Sequence, residues 1–139
     1  MRVDAAGRTA IPGIFAAGDA SAECEPRRSA YVRTEHWEAA ARQGASAARA
    51  MLGLQTPAAA PPSFWSDQHG VRIQFVGDTH GADRLEIDGQ PAASDFTALF
   101  THNQRPVAAL IVGRPHALPE LRKRIHDAAS INHHERNAA

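Results

Sequence analysis

Cysteine is almost absent from this sequence of 139 residues. Cys24 is the only one, so the chain can form no intramolecular disulfide and contains no Cys-x-x-Cys redox pair. Proteins that pass electrons through a pair of cysteines are therefore excluded. We expect Cys24 to lie in a loop and to have no role of its own.

One glycine pattern is also missing, although the chain has ten glycines. No two of them are spaced as Gly-x-Gly. The phosphate-binding turn of a dinucleotide fold needs that spacing, because glycine lets the backbone approach a pyrophosphate closely. We therefore do not expect this chain by itself to bind the adenylate or the pyrophosphate of a dinucleotide.

Neither sign of charge is in excess, and long apolar runs are lacking. The 15 Lys and Arg balance the 15 Asp and Glu, so no uniform field that would attract nucleic acid is expected. The amino terminus reads M-R-V-D, with an acid where a signal peptide would begin its apolar stretch. No run is long enough to span a bilayer. We predict no binding to nucleic acid or membrane, and the cytoplasm is the expected location.

The most informative stretch that is present is T-A-I-P-G-I-F-A-A-G-D, residues 9–19. Residues 14–17 form a continuous apolar run, which is typical of a strand covered on both faces in an α/β sheet. Gly18 lets a ligand approach the backbone, and Asp19 offers two acceptor oxygens where such sheets bind cofactors. A polyhydroxyl chain would suit that carboxylate. The alternative is an ordinary strand that runs into a Gly-Asp turn.

Three segments follow one another in the order found in a known family. They are V-D-A-A-G-R-T-A-I-P-G-I-F-A-A-G-D-A (residues 3–20), E-H-W-E-A-A-A-R-Q-G-A-S-A-A-R-A-M-L-G (residues 35–53) and F-W-S-D-Q-H-G-V-R-I-Q-F-V-G (residues 64–77). Together they resemble the end of the FAD-dependent NADH:ferredoxin and rubredoxin reductases. These form the oxygenase-coupled branch of the pyridine nucleotide-disulfide oxidoreductase superfamily. The resemblance covers residues 3–129, and the family is much longer.

The resemblance implies a role for two places in the chain. Asp19, beside Gly18, would hold the ribityl chain of FAD. The backbone at His36 and Trp37 would face the pyrimidine edge of the flavin, with Glu35 as a weaker flanking candidate. Free N–H groups at the start of a helix stabilise the negative charge that a reduced flavin develops there. Trp37 has an alternative role, which is to anchor its helix to the sheet.

That helix is predicted over residues 35–52. Thr34 is the expected N-cap and Gly53 the expected C′ residue. Small residues on one face suit close packing; they are Ala40, Gly44, Ala47 and Ala48.

Basic residues and one tryptophan are candidates for partner binding. Arg27, Arg28 and Arg33 lie between Asp19 and the helix, where they could steer an acidic ferredoxin or rubredoxin, the acceptors that the resemblance implies. Trp65 is a weaker candidate, at an interface between domains. A second cluster, Arg122, Lys123 and Arg124, is better explained as the solvated face of a helix.

The predicted fold class is α+β. Residues 1–53 would be the end of an FAD-binding α/β domain, with a hairpin around residues 5–7, the strand and the helix. Residues 54–62 would be a proline-rich linker, and residues 130–139 a frayed tail. Residues 63–129 would form a small antiparallel sheet covered by a C-terminal helix over residues 118–129. Its expected strands are 64–68, 71–76, 84–88, 95–102 and 107–112, with turns at 69–70, 88–89 and 103–105.

The sequence thus predicts the C-terminal portion of a flavoprotein reductase that passes electrons from NADH through FAD to a ferredoxin or rubredoxin, for an oxygenase. We expect a reductase fragment or a product truncated at Met1, inactive alone and completed by a chain that supplies the FAD and NAD domains. The alternative is a non-catalytic remnant that acts as a small interaction or dimerisation module. No metal site is expected, since the adjacent pair His133-His134 has no third ligand at a useful spacing.

Overall fold

A computed structural model describes residues 1–25, 28–56 and 61–137, with side chains as far as residue 129. The chain divides into two compact units, Met1–Ala59 and Ala60–Ala139.

The first unit is a small sheet with one helix. Strands β1 (Arg2–Val3), β2 (Ala22–Glu25) and β3 (Ala30–Val32) lie in the order β1-β2-β3, with β1 parallel to β2 and β2 antiparallel to β3. Helix α1 spans Trp37–Met51. The prediction that Cys24 lies in a loop is wrong: it lies in β2, with its side chain exposed. This strand has only four residues, none of them β-branched or aromatic, so its sequence signal is weak.

The predicted strand over residues 14–17 is not formed. Phe15 makes a single antiparallel bridge with Arg8, Ile14 is 45% exposed, and only Ala16 of the run is buried. A strand that is buried on both faces needs a backbone partner on each side. The described residues offer this segment one bridge, so it stays a bridged loop.

The predicted hairpin around residues 5–7 is instead a tight turn. The amides of Ala6 and Arg8 donate to Asp4 Oδ1 at 2.9 and 2.8 Å. Gly7 has a φ of +74°, and a Cβ built on it would lie 3.0 Å from the Cβ of Ala47. Glycine therefore lets the turn rest directly on α1.

The ends of α1 are set by local chemistry. The N-cap is His36 and not Thr34, because His36 has an extended backbone and its Nδ1 accepts from the Glu38 amide at 3.4 Å. At the other end Gly53 is confirmed as the C′ residue, with a φ of +67°. The amides of Gly53 and Leu54 donate to the carbonyls of Ala50 and Arg49 at 3.1 and 2.9 Å, which is the Schellman motif.

The buried face of α1 differs from the prediction. It consists of Ala39, Gln43, Ala47 and Ala50, whereas Gly44 and Ala48 are exposed and Ala40 is half-buried. Both sets follow the helical period, but the predicted set is offset by one position, about 100° around the helix axis, from the face that is buried.

The second unit is a five-stranded antiparallel sheet, as predicted. Its strands are β4 (Ser63–Gln68), β5 (Val71–Gly77), β6 (Arg84–Gln90), β7 (Asp95–His102) and β8 (Arg105–Val112). They lie in the order β4-β5-β8-β7-β6. The pairs His69-Gly70 and Asn103-Gln104 close two hairpins with positive φ at both residues, as a type I′ turn requires.

The turn predicted at residues 88–89 is wrong, because β6 continues through Gly89 to Gln90. The chain turns afterwards, in a short 3₁₀ segment at Pro91–Ala93. A Cβ on Gly89 would lie 2.4 Å from a guanidinium nitrogen of Arg114. This glycine therefore makes room for a neighbouring side chain and does not form a turn.

Helix α2 (Leu118–Asn137) covers one face of this sheet. Leu121 and Ile125 pack on Val76, Ala109 and Ile111, and all five are buried. The prediction of a covering helix that begins at residue 118 is confirmed. The tail predicted to fray from residue 130 is instead helical through Asn137, so that prediction is wrong for residues 130–137. These residues contain no glycine or proline that would end the helix.

Candidate functional site

The best candidate site is built around a short turn that carries Asp19. Residues Gly18–Ala20 form one turn of 3₁₀ helix, which Gly18 enters with a φ of +70°. The Gly18 amide donates to Gln43 Oε1 at 2.8 Å. The Ser21 hydroxyl lies 2.8 Å from the Gly18 carbonyl and 3.1 Å from Gln43 Oε1. Side-chain hydrogen bonds from α1 and from Ser21 therefore hold both ends of the turn.

Gln43 connects this turn to the sheet of the first unit. Its side chain is buried, at 7% exposure, and its Nε2 donates to Glu23 Oε2 in β2 at 3.2 Å. Both polar groups of the amide are thus used, which is the condition for burying it at little cost. Sequence reasoning missed Gln43. The available signal was one polar residue in the middle of an alanine stripe.

Asp19 itself is exposed. Among residues 1–25, 28–56 and 61–137, no side chain pairs with its carboxylate. A Cβ on Gly18 would stand 3.5 Å from the Cβ of Ala40, so the turn lies against the first turns of α1. The backbone is fixed, and the carboxylate at its tip is available as a hydrogen-bond acceptor.

The start of α1 carries the other predicted site residues. Trp37 is 65% exposed, with its ring centroid 5.9 Å from that of His36 at an interplanar angle of 41°. The described strands of the first unit therefore do not bury the Trp37 ring. Glu35 pairs with Arg33 at 3.2 Å. The His36 Nδ1 accepts a hydrogen bond from the Glu38 amide. In the described part of the chain, the Trp37 amide has no acceptor.

The structure brings together only some of the predicted residues. Gly18 and Asp19 share the first unit with Glu35, His36 and Trp37, whereas Trp65 belongs to the second unit. Arg28 lies in the turn between β2 and β3, which is a hairpin and not the predicted loop. Arg27 lies outside the described residues.

Trp65 is part of a polar cluster on β4 and β5. The Arg72 guanidinium stands 4.7 Å from the centroid of the indole, a cation–π distance. Arg72 also donates twice to the Asp67 carboxylate, at 2.8 and 2.6 Å. These hydrogen bonds lower the pKa of Asp67 and raise that of Arg72. Trp65 remains 43% exposed beside this ion pair.

Comparison with known proteins now identifies the second unit. A family model described as Reductase C-terminal matches residues 63–137. This chain belongs to the Reductase C-terminal family. A curated relative, the 3-phenylpropionate/cinnamic acid dioxygenase ferredoxin–NAD(+) reductase component of Photorhabdus laumondii subsp. laumondii, is 38% identical over 130 residues. That alignment covers 93% of this chain and 32% of the relative.

Two solved structures support this membership in the Reductase C-terminal family. The covalent putidaredoxin reductase–putidaredoxin complex matches 91% of this chain and 30% of its own chain, at 28% identity and a TM-score of 0.85. A ferredoxin reductase from Rhodopseudomonas palustris matches 81% of this chain and 28% of its own, at 30% identity and a TM-score of 0.73. The chain therefore spans about a third of the length of these relatives.

The alignment with the Photorhabdus protein also reaches the Asp19 turn. The part of this chain that it leaves out is shorter than residues 1–17, so Gly18–Ala20 and the start of α1 lie inside it. The Reductase C-terminal match itself begins later, at residue 63. The candidate site thus belongs to the segment that precedes the family domain.

No group of three His, Cys, Asp or Glu residues suited to a metal ion occurs in the described ranges. None of the helices described there is long and apolar enough to cross a membrane.

Proposed function

We propose that this chain is the C-terminal portion of a flavoprotein reductase that passes electrons from NADH through FAD to a ferredoxin or rubredoxin, for an oxygenase. The observation that carries the proposal is the Asp19 turn, which Gln43 and Ser21 hold in place. Its carboxylate is exposed and has no side-chain partner among the residues that the structure describes. The similarity to ferredoxin–NAD(+) reductases supports the electron donor and the class of acceptor. The cytoplasm is the proposed location.

The residues present fit one part of FAD. An exposed carboxylate on a fixed turn suits the hydroxyl groups of a ribityl chain, since an ionised carboxylate is a strong acceptor. The Trp37 amide at the start of α1, for which the described residues supply no acceptor, suits the electron-rich edge of a flavin ring. When bound, FAD would supply the chemistry that accepts a pair of electrons and releases them singly. Asp19 and the start of α1 would orient it.

The acceptor protein would approach the same unit of the chain. Trp37 offers an exposed aromatic surface beside the start of α1, and Arg28 adds a basic side chain to the same unit, whereas Glu35 balances the charge of Arg33. Positive charge near the flavin would raise the rate at which an acidic ferredoxin finds its site. Trp65 with Arg72 is a second, weaker candidate contact. The FAD and NAD domains would come from the rest of the reductase, in the same polypeptide or in a separate chain.

The test uses a hybrid in which this chain replaces the matching third of the Photorhabdus reductase. Asp19→Ala removes the acceptor, and the loss of a hydrogen bond to a charged group costs about 1.5–3 kcal/mol. Flavin affinity should therefore fall about tenfold or more. The flavin content of the purified hybrid, measured by absorbance, gives the result.

The matched control is Asp127→Ala, which removes an exposed aspartate from α2. It should leave flavin content unchanged. If Asp19→Ala also leaves flavin content and affinity unchanged, Asp19 is only a turn residue and the proposed site is wrong.

A second candidate function is a non-catalytic interaction module. The exposed apolar side chains of the second unit favour it, namely Phe64, Trp65, Leu85 and Ile87. A hybrid that binds no flavin at all, although it is folded, would favour this candidate.

A further inference from the structure

Strand β6 forms one edge of the five-stranded sheet, and its outer side is open. All seven of its residues, Arg84–Gln90, are exposed. In the described part of the chain, no strand lies beyond it. Natural edge strands are usually protected against pairing with another chain by a proline, a lysine or a bulge. β6 contains neither of these residues and pairs with β7 in unbroken register at all seven positions. It therefore presents a regular template for a further strand.

The hydrogen bonds of the sheet show which backbone groups of β6 face outward. The Gly113 amide donates to the Arg72 carbonyl at 3.0 Å, so these two residues point at each other between β8 and β5. In antiparallel pairing this direction alternates along each strand. In the register of the sheet, the alternation turns Leu85 and Ile87 away from β7, toward the open edge. In agreement, the Thr101 carbonyl points at β6 and accepts from the amide that immediately precedes the strand, at 2.9 Å.

The side chains of β6 alternate between charged and apolar. Arg84, Glu86 and Asp88 lie on one face of the sheet. Leu85 and Ile87 lie on the other face and are 50% and 55% exposed. Within the strand, Arg84 pairs with Glu86 at 3.1 Å. Like charges that stand opposite each other in a sheet are destabilising, so the charges restrict how a further strand can align with β6.

A second copy of β6 fits this pattern in one antiparallel alignment, with a two-fold axis at Glu86. Arg84 then stands opposite Asp88 of the second copy, and the symmetry makes this pair twice. Leu85 stands opposite Ile87 in the same way, and their outward N–H and C=O groups form four hydrogen bonds across the axis. The one unfavourable contact is between the two Glu86 side chains.

The neighbouring alignments fit less well. An axis at Leu85 leaves only two such hydrogen bonds, because the residue that would face Ile87 donates its amide inward, to the Thr101 carbonyl at 2.9 Å. An axis at Ile87 sets Glu86 opposite Asp88 twice, which makes two like-charge contacts. The alignment at Glu86 therefore combines the larger number of backbone hydrogen bonds with opposite charges.

We propose that β6 is a self-association edge, at which a second copy of this chain adds its own β6 in the alignment centred on Glu86. About five residues per copy, about 3.3 Å each, along a sheet about 10 Å thick give a contact of about 170 Å² per side. Stable dimers bury about 1,200–2,000 Å² in total. We therefore expect a weak and reversible dimer, with a Kd on the order of 0.1–1 mM. The inference goes beyond the proposed function and does not rest on it.

Amide hydrogen exchange in the full chain tests the edge directly. At about 2 mM protein, the Leu85 and Ile87 amides should exchange about three- to sevenfold more slowly than at about 0.02 mM, which is the change that this range of Kd produces. Trp65 supplies the matched control, because the same alternation turns its amide outward at the β4 edge. Its exchange should not depend on concentration.

The variant Glu86→Gln tests the charge pattern. The change removes the like-charge contact at the axis and should lower Kd about two- to fivefold. Glu120→Gln makes the same chemical change at an exposed position of α2 and should leave Kd unchanged. Kd is read from the amide chemical shifts of β6 on dilution.

Single cysteines in a Cys24→Ser background test the alignment. Glu86→Cys lies opposite its own copy in a pair without backbone hydrogen bonds, where Cα atoms are about 4.5 Å apart, so oxidised glutathione should link it into a disulfide dimer. Arg84→Cys and Asp88→Cys should each remain monomeric alone and should link when they are mixed. Non-reducing electrophoresis gives the yields.

Three results would overturn the proposal. They are exchange at Leu85 and Ile87 that is the same at both concentrations, a Kd that Glu86→Gln raises, and a Leu85→Cys chain that links to itself faster than Glu86→Cys. Protection that appears at Trp65 instead would identify the β4 edge as the contact and would also contradict the proposal. Flavin content enters none of these measurements, so a negative result leaves the proposed function untouched.

Discussion

The position of Asp19 depends on the buried side chain of Gln43, and the change Gln43→Leu tests that dependence. Leucine has a similar volume but neither an acceptor nor a donor. The Gly18 amide, 2.8 Å from Gln43 Oε1, would lose its acceptor, while the Ser21 hydroxyl would keep the Gly18 carbonyl. An unsatisfied buried donor costs about 1–3 kcal/mol. We expect the turn at Gly18–Ala20 to open more often by that free energy.

Amide hydrogen exchange followed by NMR is the appropriate assay. Global unfolding of a chain with two compact units need not be a single two-state transition, whereas exchange reports local opening at one residue. A cost of 1–3 kcal/mol corresponds to roughly five- to 150-fold faster exchange. The increase should appear at Gly18 and at Ser21, whose amide donates to the Gly18 carbonyl at 2.9 Å.

Two controls make the result specific. Glu23→Ala removes the acceptor of Gln43 Nε2 but leaves Gln43 Oε1 for the Gly18 amide, so exchange at Gly18 should stay closer to that of the unchanged chain. Gln90→Leu makes the same chemical change at an exposed position of β6 and should have no effect on Gly18. Unchanged exchange at Gly18 in Gln43→Leu would refute the reasoning and show that the backbone alone holds the turn.

The second unit could be predicted well because its signals are local. Val71, Ile73 and Phe75 alternate with polar residues, and turns such as His69-Gly70 have the residues that a tight hairpin needs. The exception at Gly89 is instructive. A glycine after an aspartate indicates a turn, but here it makes room for Arg114, which is 25 positions away in sequence and close only in the folded sheet.

The first unit could be predicted less well because its signals depend on partners. The apolar run at residues 14–17 has the composition of a buried strand, and composition does not reveal how many strands lie beside it. Thr34 is the better N-cap by residue type, yet its carbonyl accepts from the His36 amide at 3.0 Å in a tight turn that precedes the helix. The N-cap is therefore His36, two residues after Thr34, and the helix begins at Trp37.

In the candidate site, too, a residue with a local sequence pattern could be predicted, whereas one whose role depends on a distant contact could not. Asp19 was predicted because Gly-Asp after an apolar run is a local pattern. Gln43 was not, since a glutamine in a helix is usually exposed and its burial here depends on contact with Gly18.

Three further predictions concern the isolated chain. It should be colourless when purified, because it lacks the Gly-x-Gly turn; stoichiometric flavin absorbance after gel filtration would contradict this. Amides of β5 and β8 should be protected well beyond those of residues 14–17, which share one bridge; equal or reversed protection would mean that the first unit has a complete core of its own.

The last prediction concerns acid. Arg114 donates to Asp95 at 2.6 Å and lowers the pKa of that carboxyl. A lowered pKa means that the contact stabilises the fold fully above the ordinary Asp pKa of about 3.9 and is lost as pH falls through the lower native value. Arg114→Gln should therefore raise the pKa of Asp95 in a carboxyl-carbon NMR titration. The pKa of Asp67 should stay low, because Arg72 holds it independently. If both carboxyl groups shift together, Arg114 acts through the whole sheet, and if neither does, the Arg114–Asp95 contact does not determine the pKa in solution.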